Sequence, residues 1–168
     1  MLGSMGVIEF ELERTIGAPI EAVFARLADI DGYDAWMPGK GSILRHSRQT
    51  SPGEPAEGTT FLDDTTYGPT PGEIVQFQAP HTLVFHWWDR SRGGRLMAEG
   101  WPGYALQRTD DDTTLLRHHA TMHTHRLYRL ATPVFRRMAV KERTATVDAL
   151  KASFETAARS RRAGSASS

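Results

Sequence analysis

Residues 7 to 16, VIEFELERTI, alternate apolar and polar side chains with little interruption. Ile8, Phe10, Leu12 and Ile16 fall on one face, and Glu9, Glu11 and Glu13 on the other. A period of two residues belongs to a strand with one face in a core and the other in water. Arg14 is the exception on the apolar face. Gly17-Ala18-Pro19 ends the strand, and a proline fits the first turn of a helix. Ile20, Val23, Phe24 and Leu27 then recur at helical spacing, which predicts a helix over 20–28. Residues 29–36 read as a second short helix or turn.

The chain continues as short strand-like runs split by turn residues: 42–48, 59–64, 73–78, 82–89, 95–108 and the run after Asp110-Asp111-Asp112. This spacing predicts an antiparallel meander of about six strands. Pro102 cannot donate to a ladder, so a bulge is expected at Trp101-Pro102-Gly103. The Pro/Gly-rich segments 50–58 and 67–72 are expected as entrance loops. Pro133 opens a helix that should run to about residue 158, with Val140, Val147, Leu150 and Phe154 in one stripe. Residues 159–168 are expected as a disordered tail, and 1–5, MLGSM, as an N-terminal extension or tag remnant without signal-peptide character. One domain, 6–158, remains. A curved sheet with a single long helix laid across it encloses a cavity.

Bulk properties narrow the function. A chain of 168 residues is long enough for one real core. It has no cysteine, which excludes disulfides and thiolate chemistry. Its formal net charge is 0, so no global field favours nucleic acid. No apolar run reaches the roughly 20 residues of a membrane helix. A cytoplasmic protein without nucleic-acid partner or membrane insertion is expected. The acids of residues 9–34 and the arginines near the C-terminus are expected to lie side by side and neutralise each other. There is no GxSxG elbow, phosphate loop or HExxH pair. Neither cofactor nor metal is expected.

The order of motifs resembles a known superfamily. Ile16-Gly17-Ala18-Pro19, Val23-Phe24, Asp31 with Trp36, Gly72-Glu73-Ile74-Val75, Pro80 to Phe85, Thr114-Leu115-Leu116 and the final helix are similar to the START-like (SRPBCC) helix-grip proteins, in particular the polyketide cyclase/dehydrase branch. The resemblance covers roughly residues 6 to 157. It implies an α+β fold in which a seven-stranded curved antiparallel sheet, two short helices and a long C-terminal helix enclose a hydrophobic cavity. Members bind lipids, hormones, polyketides or aromatic compounds, and some catalyse cyclisation, aromatisation or dehydration.

The resemblance also phases the strands. Ile16 matches a core position, so even residues of the first strand point inward, Arg14 included. The Thr-x-Leu pattern points Thr114 and Leu116 inward, followed by His118, Ala120 and Met122. Arg117, His119, His123 and His125 fall on the outer face. The family topology makes the first and last strands neighbours, which sets these residues against Glu9, Glu11 and Glu13. A metal site there is disfavoured, because residues two apart on a strand are about 7 Å apart on an open face.

Inward His118 is either a core histidine satisfied by one partner or an acid/base group. Inward Arg14 either pairs with Asp63, Asp64 or Glu142, reaches out to water, or holds a ligand anion. Phe85 and Trp87 share a strand face with Leu83, with Phe61 and Tyr104 on adjoining strands; Trp36 matches a position near the pocket mouth. These rings suit either core filling or stacking on a planar ligand. Outward Trp88 is a candidate homodimer contact. The ligand-binding set is therefore Trp36, Phe61, Phe85, Trp87, Tyr104, His118 and Met122.

Three functions follow. The first is a binding protein for a hydrophobic small molecule, lipid-like or polycyclic aromatic. The second is a cofactor-independent cyclase/aromatase in which His118, Arg14 and Tyr104 move protons and stabilise an oxyanion. The third is an interaction module like the activators of the Hsp90 ATPase.

Overall fold

A computed structural model describes residues 5–166. Strand β1 (Gly6–Ile16) leads into helix α1 (Ile20–Ala28) and a 3-10 helix (Ile30–Ala35). Six strands follow: β2 (Leu44–Gln49), β3 (Thr60–Thr65), β4 (Gly68–Gln78), β5 (Thr82–Arg90), β6 (Leu96–Asp110) and β7 (Thr113–Thr124). A second 3-10 helix (Arg126–Ala131) turns the chain into the long helix α2 (Thr132–Ser165). All seven strands form one antiparallel sheet in the order β1-β7-β6-β5-β4-β3-β2. The two ends of the meander are thus the edges, except that β1 crosses over to extend the sheet beside β7.

The phase read from the sequence holds. Ile8 and Ile16 are buried while Glu9, Glu11 and Glu13 are exposed, and Thr114, Leu116, His118 and Ala120 are buried on β7. Helix α1 buries Ile20, Val23, Phe24 and Leu27, the four residues at helical spacing. The Thr114 hydroxyl donates to the Ala18 carbonyl at 2.8 Å and pins the start of this helix to the sheet. Helix α2 buries Thr146, Val147, Leu150 and Phe154. Val147, Leu150 and Phe154 join residues of α1 and the sheet in a single core.

Three local expectations are corrected. Residues 68–72 are strand rather than entrance loop, because β4 begins at Gly68, directly after a tight turn from β3. Gly68 has a φ of 113°, which favours glycine there. No register shift occurs at Trp101-Pro102-Gly103: Val84 still pairs Gly103 and Trp87 still pairs Gly100. Pro102 only interrupts the ladder toward β5, while toward β7 it stays in register with Ala120. Helix α2 runs on to Ser165, through most of the segment expected as a tail. No proline follows Pro133, and Ala and Arg dominate its last turns, both strong helix formers. The N-terminal extension lies outside the described residues except for Met5. No helix among the described residues is long and apolar enough to cross a membrane.

The inner face carries two aromatic rows that the register defines. Phe61, Gly72, Trp87, Gly100, Met122 and Ile8 follow one another across β3, β4, β5, β6, β7 and β1. The rings of Phe61 and Trp87 lie over the two glycines: a Cβ on Gly100 would sit 2.6 Å from the Trp87 ring, and one on Gly72 would strike the Phe61 ring. Gly100→Ala is therefore expected to cost about 1–3 kcal/mol in urea unfolding and to change Trp87 fluorescence. Gly17→Ala, which meets nothing within 4 Å, should stay within about 0.5 kcal/mol.

Candidate functional site

A second row crosses the inner face from Phe77 through Leu83, Tyr104 and His118 to Leu12. Its centre is polar. Tyr104 and His118 are both buried and stack at 4.4 Å between ring centroids, 27° from parallel. Phe85 meets Tyr104 edge to face at 6.4 Å, and Phe61 meets Phe85 in the same way at 5.7 Å. The sheet thus presents an aromatic floor with one imidazole and one phenol set into it.

His118 is held in one tautomer. Its Nδ1 lies 2.8 Å from the Gly103 carbonyl, which can only accept, so Nδ1 carries the hydrogen and donates it. Nε2 is left with a lone pair and, among the described residues, no hydrogen-bond partner, although it is fully buried. Burial first, and the Arg143 guanidinium second, push the imidazole down to about 3, so it stays neutral at physiological pH. His118 is thus satisfied at one nitrogen by a backbone carbonyl, and its other nitrogen keeps a buried, unshared lone pair.

Arg143 comes from α2. It reaches the Tyr104 hydroxyl, and its charge acts also on His118 and Asp63. Burial raises Tyr104 above its ordinary value while Arg143 pulls it back down. Asp63 on β3 accepts from the Ser47 hydroxyl at 2.6 Å. Burial lifts its carboxyl to about 6, against the Ser47 hydrogen bond and Arg143. Tyr33, also buried, donates to the Leu27 carbonyl at 2.5 Å. The interior therefore gathers an imidazole lone pair, a phenol, a guanidinium and a carboxyl that takes up its proton near neutrality.

Arg143 is not among the site residues expected from the sequence. Yet residues 143, 147, 150 and 154 have the spacing of the buried stripe itself. One more turn back along that stripe reaches Arg143, and this was the available signal. Arg14 moves the other way. It donates through Nε to Asp148 on α2 at 2.7 Å and through Nη1 to the Glu13 carbonyl at 2.8 Å. Its partner is none of Asp63, Asp64 or Glu142, because α2 crosses β1 at the turn that carries Asp148. Glu142 instead accepts from the Ser42 hydroxyl and from the Ile43 amide at 2.9 Å, fastening α2 to the approach to β2.

Trp36 packs against the core, 5.4 Å and edge-on from Tyr33, with its indole N–H buried and unpaired among the described residues. It lines a cleft of about 490 Å³ with Arg26, Asp29 and Ser153, between α1, the first 3-10 helix and α2. A smaller cleft of about 280 Å³ is bordered by Pro38, Lys40, Ser42 and Lys141. Neither is the expected cavity between sheet and long helix; Phe61, Phe85, Tyr104 and Leu150 pack into that core. Trp87 and Met122 occupy the first row, half-buried.

The outer histidines are placed differently than expected. Glu13 does pair with Arg117 at 2.9 Å, and Glu11 stands opposite His119. His123, however, stands opposite Val7, so the β1 glutamates lie too far along the strand. His123 and His125 face Glu99 of β6 instead, at 3.8 and 3.5 Å, and His86 of β5 lies 3.0 Å from the same carboxylate. His125 Nε2 is buried and, among the described residues, makes no hydrogen bond. His86 stacks on Trp101 at 4.6 Å and packs beside Trp88, which is half-buried. Among the described residues no group of three ligating side chains is arranged to hold a metal.

The comparisons agree with this fold. The family model for polyketide cyclase / dehydrase and lipid transport proteins matches residues 7–155. The chain belongs to this family. Similar solved structures include an aromatase/cyclase, Zhui, from a Streptomyces species, 13% identical, covering 89% of this chain and 94% of that one at a TM-score of 0.70. The di-domain aromatase/cyclase StfQ of the steffimycin pathway is 16% identical; the match covers 90% of this chain but 52% of that one, at a TM-score of 0.69. A START superfamily protein from Mycobacterium smegmatis is 10% identical, with 88% and 97% covered and a TM-score of 0.66. At these identities they show the START-like helix-grip fold. The sequence has no match among curated proteins.

The two buried titrating groups pull stability in opposite directions with pH. Between its ordinary 6.5 and about 3, His118 is protonated only in the unfolded chain, so its contribution falls as pH drops through that range. Between about 6 and 3.8, Asp63 is protonated only in the folded chain, so its contribution rises as pH drops. Asp63→Asn should therefore lose stability more steeply than the parent on acidification from pH 6 to about 4. His118→Asn, whose amide can still donate to Gly103, should lose it less steeply. Urea unfolding across this pH range reads both slopes, and parallel slopes for all three proteins would refute the assignment.

Proposed function

We propose that the protein binds a planar, hydrophobic, oxygen-bearing small molecule between the inner face of the sheet and α2. The observation that carries this reading is the His118 Nε2 lone pair, fully buried and unpaired among the described residues, stacked beside a phenol that Arg143 reaches. Natural interiors seldom leave a buried acceptor unmatched. A ligand hydroxyl donating to Nε2 would satisfy it, while Tyr104 and Arg143 would face a carbonyl, enol or phenolate oxygen. Phe61, Phe85 and Trp87 would stack on the rest. In this packed interior the ligand displaces side chains on entry, and the half-buried Trp87 and Met122 are the ones with room to turn. Membership of the polyketide cyclase/dehydrase and lipid transport family supports a ligand of this kind.

A second reading, a cofactor-independent cyclase or aromatase, is favoured by the same nitrogen. A neutral imidazole of low basicity is a weak base at pH 7, but one desolvated beside a cationic oxyanion partner can relay a proton between neighbouring atoms of a bound enol. Arg14 has no part in either reading. Arg143 takes the role the sequence had offered to it.

Native mass spectrometry after gentle purification would reveal a co-purifying ligand. Titration with a hydroxyanthraquinone, followed by tryptophan quenching, is the quantitative test. Arg143→Met and Tyr104→Phe should each weaken binding about tenfold, the scale of a charge-assisted or buried hydrogen bond. Binding unchanged in both variants would place the ligand elsewhere. On a reactive poly-carbonyl chain, His118→Asn should abolish turnover while keeping product binding if the protein is an enzyme.

A further inference from the structure

The exposed large apolar side chains are unevenly distributed. Leu127 is 75% exposed, Leu130 73% and Val134 60%. They follow one another at spacings of three and four residues across the second 3-10 helix and the first turn of α2, and so share a side. Met5 and Val7 are exposed at the start of β1. That start abuts the same place: Gly6 pairs with Thr124, and a Cβ on Gly6 would collide with Thr124 and Thr132. Five of the large exposed apolar residues thus gather at one end of the fold, and Tyr67 lies apart at the β3–β4 turn.

The same segment is cationic. No Asp or Glu occurs between Asp112 and Glu142, a stretch that contains Arg126, Arg129, Arg136, Arg137 and Lys141, all exposed. Arg136 donates to the Glu9 carbonyl at 2.9 Å and ties the helix start to β1. The nearest acids in the register are Glu99, opposite His123 and facing His123 and His125, and Glu9, opposite Thr121. The protein as a whole has a formal net charge of 0, so this end is a local concentration of positive charge.

We infer that this end docks on an anionic lipid bilayer surface. Protruding leucines flanked by arginines match an interface with an apolar layer beneath a negative headgroup layer. A second copy of the chain fits less well. A two-fold contact would lay the same patch on itself and set its arginines against one another, where like charges are costly. The docking is peripheral, since no described helix is apolar enough to span. It does not depend on the ligand proposed above.

Co-sedimentation of the full chain with phosphatidylcholine vesicles, with and without roughly a third phosphatidylserine, tests this. Binding is expected only to the anionic vesicles, and it should weaken as salt rises. Leu127→Ser with Leu130→Ser, and separately Arg137→Glu with Lys141→Glu, should each reduce it about tenfold or more. All four side chains are exposed, and circular dichroism will confirm that both variants remain folded. Absence of binding by the parent protein, or binding equal in parent and both variants, would overturn the inference. So would a concentration-dependent dimer that the leucine variant abolishes without any vesicle binding, which assigns the patch to a second copy.

Discussion

The fold depends on one burial: the α2 stripe of Val147, Leu150 and Phe154 against the curved sheet. Val147 and Leu150 have no exposed surface. Full burial of such side chains is worth about 1.5–3 kcal/mol each. The polar clips around the rim act on a smaller scale. Arg14–Asp148 and Arg117–Glu13 are largely solvated pairs, worth about 0–1 kcal/mol apiece. Their role is register. Arg14 and Glu142 fasten α2 to opposite ends of the sheet, and Arg26 adds a third point by donating to Ser153 while lying 3.8 Å over the Phe154 ring. Packing supplies the stability, and the clips choose where along the sheet the helix lies.

That choice creates the polar interior. Once Leu150 is seated, Arg143 is two turns back on the same stripe and must enter the sheet beside Tyr104. A guanidinium so placed discourages protonation of His118 and draws Asp63 and Tyr104 toward their anionic forms, against burial. The imidazole is desolvated, tautomerically fixed and one hydrogen bond short. Such locally unsatisfied groups are where a sequence optimised for folding alone would differ, and the proposed ligand contact rests on them.

Glycine has a comparable role on the sheet. Gly72 and Gly100 flank Trp87 in register, and their missing side chains let Phe61 and Trp87 lie flat on the backbone. The same row is hidden in the sequence, where Gly72 closes a segment that reads as a loop and Gly100 adjoins one that reads as a bulge. Only cross-strand pairing brings them under aromatic rings.

The sequence by itself determined which face each residue takes. The two-residue period of VIEFELERTI and TTLLRHHATMHT, and the helical spacing of 20–27 and 147–154, follow from the geometry of a single element, and each was readable without neighbours. The alternation set His118 and His119 on opposite faces, and the resemblance to START-like proteins, through the Thr114-x-Leu116 pattern, told which of the two points inward. Only the tertiary structure decided partners. His123 and His125 met Glu99 rather than the β1 glutamates because the register set Val7 opposite His123. Arg14 met Asp148, and Arg143 turned inward, because both outcomes depend on how far along β1 the helix crosses. Periodicity belongs to one strand or helix, whereas register and crossing position emerge from packing two of them together.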